Sequence, residues 1–258
     1  TIKNSGMINN LHMMQGHVDS DDVIQTITQE SGQIIDKQVV DHLEAIGGHF
    51  TGEVKETNAQ GSIASTYYAT FDELLEQAMA ATEDVTMTLN KDVTLDKDLL
   101  LTNKNAQLTL DLNHYSMHGA SITTINDVVL ANSQGVGSHI DNEISNKGTL
   151  RIDVEVNGFI VNDATLRNEG RLRKVKNNDL LVNHGTINEL INNEKTENTG
   201  KMAIVRNSGR FTNGENGDLD LYHQNAGETV NKGRINDATI ENGSLSNTGV
   251  IVTLSQNN

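Results

Sequence analysis

The chain has 258 residues, with 19 Lys and Arg against 35 Asp and Glu for a net charge of -16, and it contains no Pro, Cys or Trp. The lack of cysteine excludes disulfides and thiolate metal sites; it fits a surface protein of a bacterium that does without disulfides, although cytosolic proteins can lack cysteine too. The acidity argues against nucleic acid or anionic membrane as a partner, and no apolar run is long enough to insert in a bilayer.

Average usage of ~5% would give roughly 12 prolines. A stack of parallel strands explains part of that deficit, because proline cannot donate a ladder hydrogen bond. No signal peptide is recognisable, and the chain opens on Thr1, so the expectation is a mature product or a piece of something longer. Charge is unevenly placed. Residues 1–145 carry 6 basic against 21 acidic side chains, and residues 146–258 carry 13 against 14. That shift marks an organisational boundary near residue 145, with the acidic half read as a solubilising surface.

Residues 1–16 read as a strand-like segment in which Ile2, Met7, Ile8, Leu11 and Met13 surround a lone Asn4-Ser5-Gly6. Residues 17–69 read as an acidic helical and loop region. Within it a helix is expected over 19–47, with Asp19, Asp21 and Asp22 at a helix start, Ser31 as N-cap, and Ile34, Ile35, Val39, Leu43 and Ile46 at helical spacing before Gly47-Gly48. The polar stretch 49–66 reads as a loop or short hairpin. A second helix, at about 70–82, has a capping box in Thr70-Phe71-Asp72-Glu73 and an apolar face of Phe71, Leu74, Leu75, Ala78 and Met79. From Val85 the period changes to two. Val85, Met87, Leu89, Val93 and Leu95, then Leu99–Leu101 and Leu108, Leu110 and Leu112, describe short strands separated by polar turns.

From Ile144 onward one unit dominates, Asn-x-Gly, often followed by an apolar or β-branched residue. It begins at Asn146, Asn168, Asn183, Asn198, Asn207, Asn225, Asn231 and Asn247, with gaps of 22, 15, 15, 9, 18, 6 and 16. Gaps of 15 to 22 suit one coil of a solenoid; the 9 and the 6 imply two corners within one coil. Asparagine makes up 21 of the last 113 residues. At such corners Asn tolerates left-handed backbone, Gly supplies positive φ, and stacked Asn side chains form amide ladders. Leu150, Leu172, Ile187, Phe211, Ile235 and Ile251 would then point into a core too narrow for many aromatic residues.

Units such as Asn183-His-Gly-Thr-Ile187 and Asn231-Lys-Gly-Arg-Ile235 resemble the Asn-x-Gly-Thr-Ile repeats of bacterial surface adhesins and autotransporter-type β-helices. Residues 70–113, a capped helix leading into Val-Thr-Met-Thr-Leu-Asn and Leu-Thr-Leu-Asp-Leu-Asn, resemble the opening of pectate-lyase-like right-handed β-helices, whose first coil is covered by an amphipathic helix. The resemblance implies an all-β, right-handed parallel β-helix (β-solenoid) over 70–258. The crossover preference of parallel strands favours the same hand.

Fold alone leaves function open between adhesins, polysaccharide lyases or hydrolases, and phage tailspikes. Asp111, Asp127, Asp153 and Asp163 are available for carboxylate chemistry. However, the Asn-Thr-Asp, Gly-His-Gly and Arg-Ile-Lys motifs of polygalacturonases are missing, and the Pro-containing arginine motif of pectate lyases needs a Pro this chain lacks. Asn213, Glu215, Asn216, Asp218 and Asp220 place oxygen ligands of the kind Ca²⁺ takes in a short Gly-containing stretch. The stretch matches no known calcium loop, and the plainer reading is a solvated turn. Asp92, Asp96 and Asp98 are a slighter case of the same kind. His114 and His118, four apart on a strand pattern, read as surface histidines. The basic run Arg171, Arg173, Lys174 and Lys176 reads as an outer face balanced by Glu169 and Asp179.

The expectation is therefore a non-enzymatic structural or adhesive protein, extracellular or on a bacterial surface. It would need no cofactor beyond calcium at Asn213, Asn216, Asp218 and Asp220, and its partner would be a host or cell-surface glycan or protein. The alternative is a carbohydrate-active β-helix. Self-association is expected to join Ile2, Asn4, Gly6 and Ile8 of one copy to Asn247, Gly249, Ile251 and Leu254 of the next, building a filament.

Overall fold

A computed structural model describes residues 1–256 except 21, 23, 26, 36–49, 58–62 and 136. Among the described residues the chain is a right-handed parallel β-solenoid with one helix. The regular part shows how the sequence builds it. Strand Arg171–Asn177 turns into Leu180–Asn183, which turns into Thr186–Asn192, and each strand pairs in parallel with its counterpart one coil on. Along the straight runs inward residues alternate, as the strand period requires. At one place they do not. Leu172 and Val175 are both fully buried, three apart, and pairing skips from Leu172↔Ile187 to Lys174↔Glu189. The chain bends there, so the long strand contributes two sides of the coil.

Two columns of asparagine hold the other corners. In the first, the amides of Asn146, Asn162, Asn177, Asn192 and Asn207 hydrogen-bond in series at 2.7–2.8 Å. In the second, Asn168, Asn183, Asn198, Asn213, Asn231 and Asn247 do the same at 2.7–2.8 Å. All but Asn247 are buried. Except at Asn146, each Nδ2 also donates to the carbonyl two residues on, or four on at Asn213, and at Asn146, Asn168, Asn198 and Asn207 the Oδ1 accepts from the glycine amide two residues on. A buried amide is costly unless satisfied, and here its own turn and the neighbouring coil satisfy it together. Asn183, Asn198 and Asn231 thus occupy one repeated corner.

The corner glycines act differently from the expectation. Of the repeated units only Gly227 has positive φ, at 81°. At Gly170, Gly185 and Gly200 a Cβ would lie 2.1–2.2 Å from a backbone oxygen of the preceding coil. Glycine is there because coils stack backbone on backbone, and the ladder asparagines are not left-handed either. Asn225 is a further exception. Gln224 takes the ladder position after Asn207, with Nε2 donating to Gly227 and Ser244 carbonyls, and Asn225 is exposed. Leu150, Leu172, Ile187, Phe211 and Ile235 are buried and Ile251 is half-buried. The core does admit aromatics: Phe211 and Tyr222 lie 5.4 Å apart where the coil lengthens to 18 residues.

Between the helix and residue 145 the coils are larger. Met117 pairs with Ile140 and Ile122 with Ile144, but Leu150 with Leu166. The charge boundary is therefore a change of coil length; pairing runs straight across it, Val128 to Leu150.

The helix Phe71–Ala80 follows its sequence. Thr70 and Glu73 form the capping box, and Leu74 and Ala78 enter the same core as Val85 and Met87. At its other end the Asn103 Nδ2 donates to the carbonyls of Ala78 and Ala81 at 3.1 and 2.9 Å.

The segment ahead of the helix overturns the helical reading of 19–35. His17–Ser20, Ile27–Gln29 and Gln33–Ile35 are strands; the remainder of that expected helix, 36–47, lies outside the described residues. Ile2↔Val18↔Ile34 and Leu11↔Ile27 pair in parallel, a small stack with its own core of Met13, Val18, Ile24, Ile27, Ile34, Phe50 and Tyr67. Ile24 and Ile27 are buried three apart, across a corner, and that spacing imitates a helical period. Ser31 caps nothing; its hydroxyl donates to Glu73 at 3.0 Å. Gly52–Thr57 and Ile63–Tyr68 form an antiparallel hairpin that splices the two stacks, Ile34 to Tyr67 on one side and Val54 to Met87 on the other.

Candidate functional site

An outer face of the solenoid carries a cluster of interacting histidine and carboxylate side chains. His118, Asp141 and Asn157 lie on successive coils, because Met117 pairs with Ile140 and Ile140 with Val156. Asp141 is the hub. Its Oδ2 lies 2.8 Å from His118 Nδ1 and 3.4 Å from His139 Nε2, and its Oδ1 accepts from Asn157 Nδ2 at 2.9 Å. The other His139 nitrogen lies 3.3 Å from the Ser116 hydroxyl. The hydrogen bond from Asn157, with lesser help from His118 and His139, holds the Asp141 carboxyl below its usual range against the opposing effect of burial.

Beside it, a bulge between Val156 and Phe159 turns the chain outward. Gly158 sits at that bulge where a Cβ would meet the Asn142 carbonyl oxygen at 1.8 Å. Phe159 emerges next to Lys174, whose Nζ is 5.8 Å from the ring centre. Lys174 and Arg206 both pair with Glu189, at 3.2 and 2.5 Å. Burial pushes the Glu189 carboxyl up, but the hydrogen bonds and charges of Lys174 and Arg206 together outweigh it and hold it below the ordinary glutamate value. Asp141, Asn157, Phe159, Arg173, Lys174 and Glu189 line an open groove of about 390 Å³. Chemically the groove offers one aromatic face, the carboxylates of Asp141, Glu143 and Glu189, the Lys174 ammonium and the Arg173 guanidinium.

Of the sequence-derived candidates, His118, Arg173 and Lys174 fall here and the others elsewhere. Asn213 is a ladder residue whose amide is fully engaged with Asn198, Asn231 and the Gly217 carbonyl. Asn216 is exposed in the turn, Asp218 lies 3.9 Å from Arg234, and Asp220 accepts from Asn236 at 2.8 Å. Asp92 and Asp98 accept backbone amides of Ser116 and Ser121, Asp111 accepts those of Asn113 and Ser133, and Asp163 accepts from Asn178. Asp127 is an exposed acceptor for Gln107. His114 stacks on Tyr115, so the partners of His118 are His139 and Asp141. Within the basic run Lys174 pairs with Glu189 at 3.2 Å, and no ion pair to Glu169 or Asp179 forms among the described residues.

Ile2, Asn4, Gly6 and Ile8 lie in the first coil, where Asn4 folds over its own turn through Gly6 and bonds Ser20 at 3.0 Å. Asn247, Gly249, Ile251 and Leu254 lie in the last coil, with Leu254 57% exposed. His139 and Asp141 were missed. The signal for them is the coil step: Asp141 stands 23 residues after His118.

No family model matches the chain, and neither a curated protein nor a solved structure matches it significantly. The class is a β-solenoid, a fold compatible with structural, adhesive or enzymatic roles.

Proposed function

We propose that the chain is a non-catalytic structural or adhesive protein of a bacterial surface, a stiff solenoid that presents its outer faces to a glycan or protein partner and meets further copies through its end coils. The observation that supports this reading is the pair of buried amide ladders. They run through successive coils with their hydrogen bonds satisfied, so the repeated sequence is devoted to a rigid, regular shaft. The likeness of the Asn-x-Gly units to adhesin repeats points the same way.

The groove at Phe159 and Arg173 favours a second reading, a carbohydrate-active β-helix, since an aromatic face beside charged side chains suits a sugar. Incubation with a panel of acidic and neutral polysaccharides, with and without calcium, separates the two. Retention of polymer without new reducing ends or unsaturated products is expected. Product release that Glu189→Gln or Asp141→Asn abolishes would overturn the non-catalytic reading.

A further inference from the structure

We infer that His118, His139 and Asp141 form a binding site for a divalent transition-metal ion of the zinc type. Three ligand atoms, His118 Nδ1, His139 Nε2 and Asp141 Oδ2, lie within 4.8 Å of one another on adjacent coils. A tetrahedral ion with bonds of about 2.0–2.1 Å needs ligand atoms about 3.3 Å apart. The two measured separations from Asp141, 2.8 and 3.4 Å, bracket that figure, so small side-chain rotations admit the ion.

The arrangement around the ligands is what such a site requires. A metal-binding histidine is oriented by a partner on its second nitrogen, and His139 has Ser116 there. A ligating carboxylate is held through its other oxygen, and Asp141 has Asn157 there. Two imidazoles and one carboxylate prefer zinc and its neighbours over calcium, which takes oxygen ligands. The side chains are 35–42% exposed, so a fourth position opens to solvent. His118 and His139 lie on strands paired in parallel on both sides, and Asp141 directly follows the strand of His139, so the spacing is set by the coil.

The test is calorimetric titration of the full chain with Zn²⁺, with Co²⁺ as a spectroscopic probe. One saturable site per chain is expected, with the visible absorption of four-coordinate Co²⁺ and a higher unfolding temperature in Zn²⁺. His118→Ala and His139→Ala should each weaken binding by tenfold or more, and Asn157→Ala, which touches no metal, by about tenfold. His114→Ala should leave it unchanged. Far-UV circular dichroism verifies that each variant keeps the solenoid. No saturable binding to the intact chain, or undiminished binding by the folded His118→Ala/His139→Ala double variant, would overturn the assignment.

Discussion

The Asn183 side chain illustrates how one residue serves three masters. Its Oδ1 accepts from Asn168, its Nδ2 donates to Asn198, and the same Nδ2 donates to the Gly185 carbonyl. Asn183→Ala removes all three and strands buried groups on both neighbours, so it should destabilise by about 2–4 kcal/mol in chemical denaturation. Gly200→Ala at the same corner should be at least as damaging, because the new methyl would lie 2.1 Å from the rigid Gly185 carbonyl oxygen. The corner was legible in the sequence because Asn-x-Gly repeats. Its partner column was less so, since Asn162, Asn177 and Asn192 are followed two residues on by Ala164, Asp179 and Glu194, whose carbonyls accept the amide just as glycine's does. A backbone carbonyl carries no side-chain signature. On the outer face, Glu189 titrates below its unfolded value, so the stability it contributes is present above about pH 4.3 and is lost as pH falls through its folded pKa. Its side chain is only 28% exposed but its partners are more so, and the gain is screened. Glu189→Gln should flatten the acid limb of the stability profile slightly and leave neutral-pH stability within about 1 kcal/mol of wild type.

At the scale of elements, the helix Phe71–Ala80 was readable because its signal is local: a capping box and one apolar stripe. Thr70→Ala should cost about 1 kcal/mol, read from the thermal transition. Glu73 has a second task, because its Oε1 accepts from the Ser31 hydroxyl and the Gly32 amide at 3.0 and 3.2 Å. It thereby ties the small N-terminal stack to the main one. The strand-like reading of 1–16 holds in Ile2–Asn4 and Leu11–Met13, but the strands of that stack from His17 on were illegible for a physical reason. A solenoid side alternates by two and a corner adds a third residue, so Val18, Ile24 and Ile27 present a mixed spacing that no single period describes. The outer-face cluster was illegible for another reason. His118, Asp141 and Asn157 are neighbours only once the coil length is known, and in that region the step falls from 23 residues to 16.

For the whole molecule, repetition makes stability nearly a sum over coils and their interfaces. Residues 178–192 are one coil of 15, bounded by the ladder residues Asn177 and Asn192. Deleting all of them joins Asn177 to Asn193 and preserves both columns, so the shortened chain should still unfold cooperatively. Deleting only 178–185, about half a coil, joins Asn177 to Thr186 and removes the Asn183 corner, and should leave an aggregating or molten product. Size-exclusion chromatography with circular dichroism distinguishes the two.

The amide columns also give the solenoid an electrical direction. Every ladder Nδ2 points toward the coil that follows it in sequence, and the local bonds at each turn prevent the amide from flipping. Group moments of about 3.5 D therefore add along the axis, as peptide moments do in a helix. The positive pole lies toward the last coil and the negative pole toward the first. Two such rods set end to end in the same sense bring opposite poles together, whereas two related by a two-fold axis set like poles face to face.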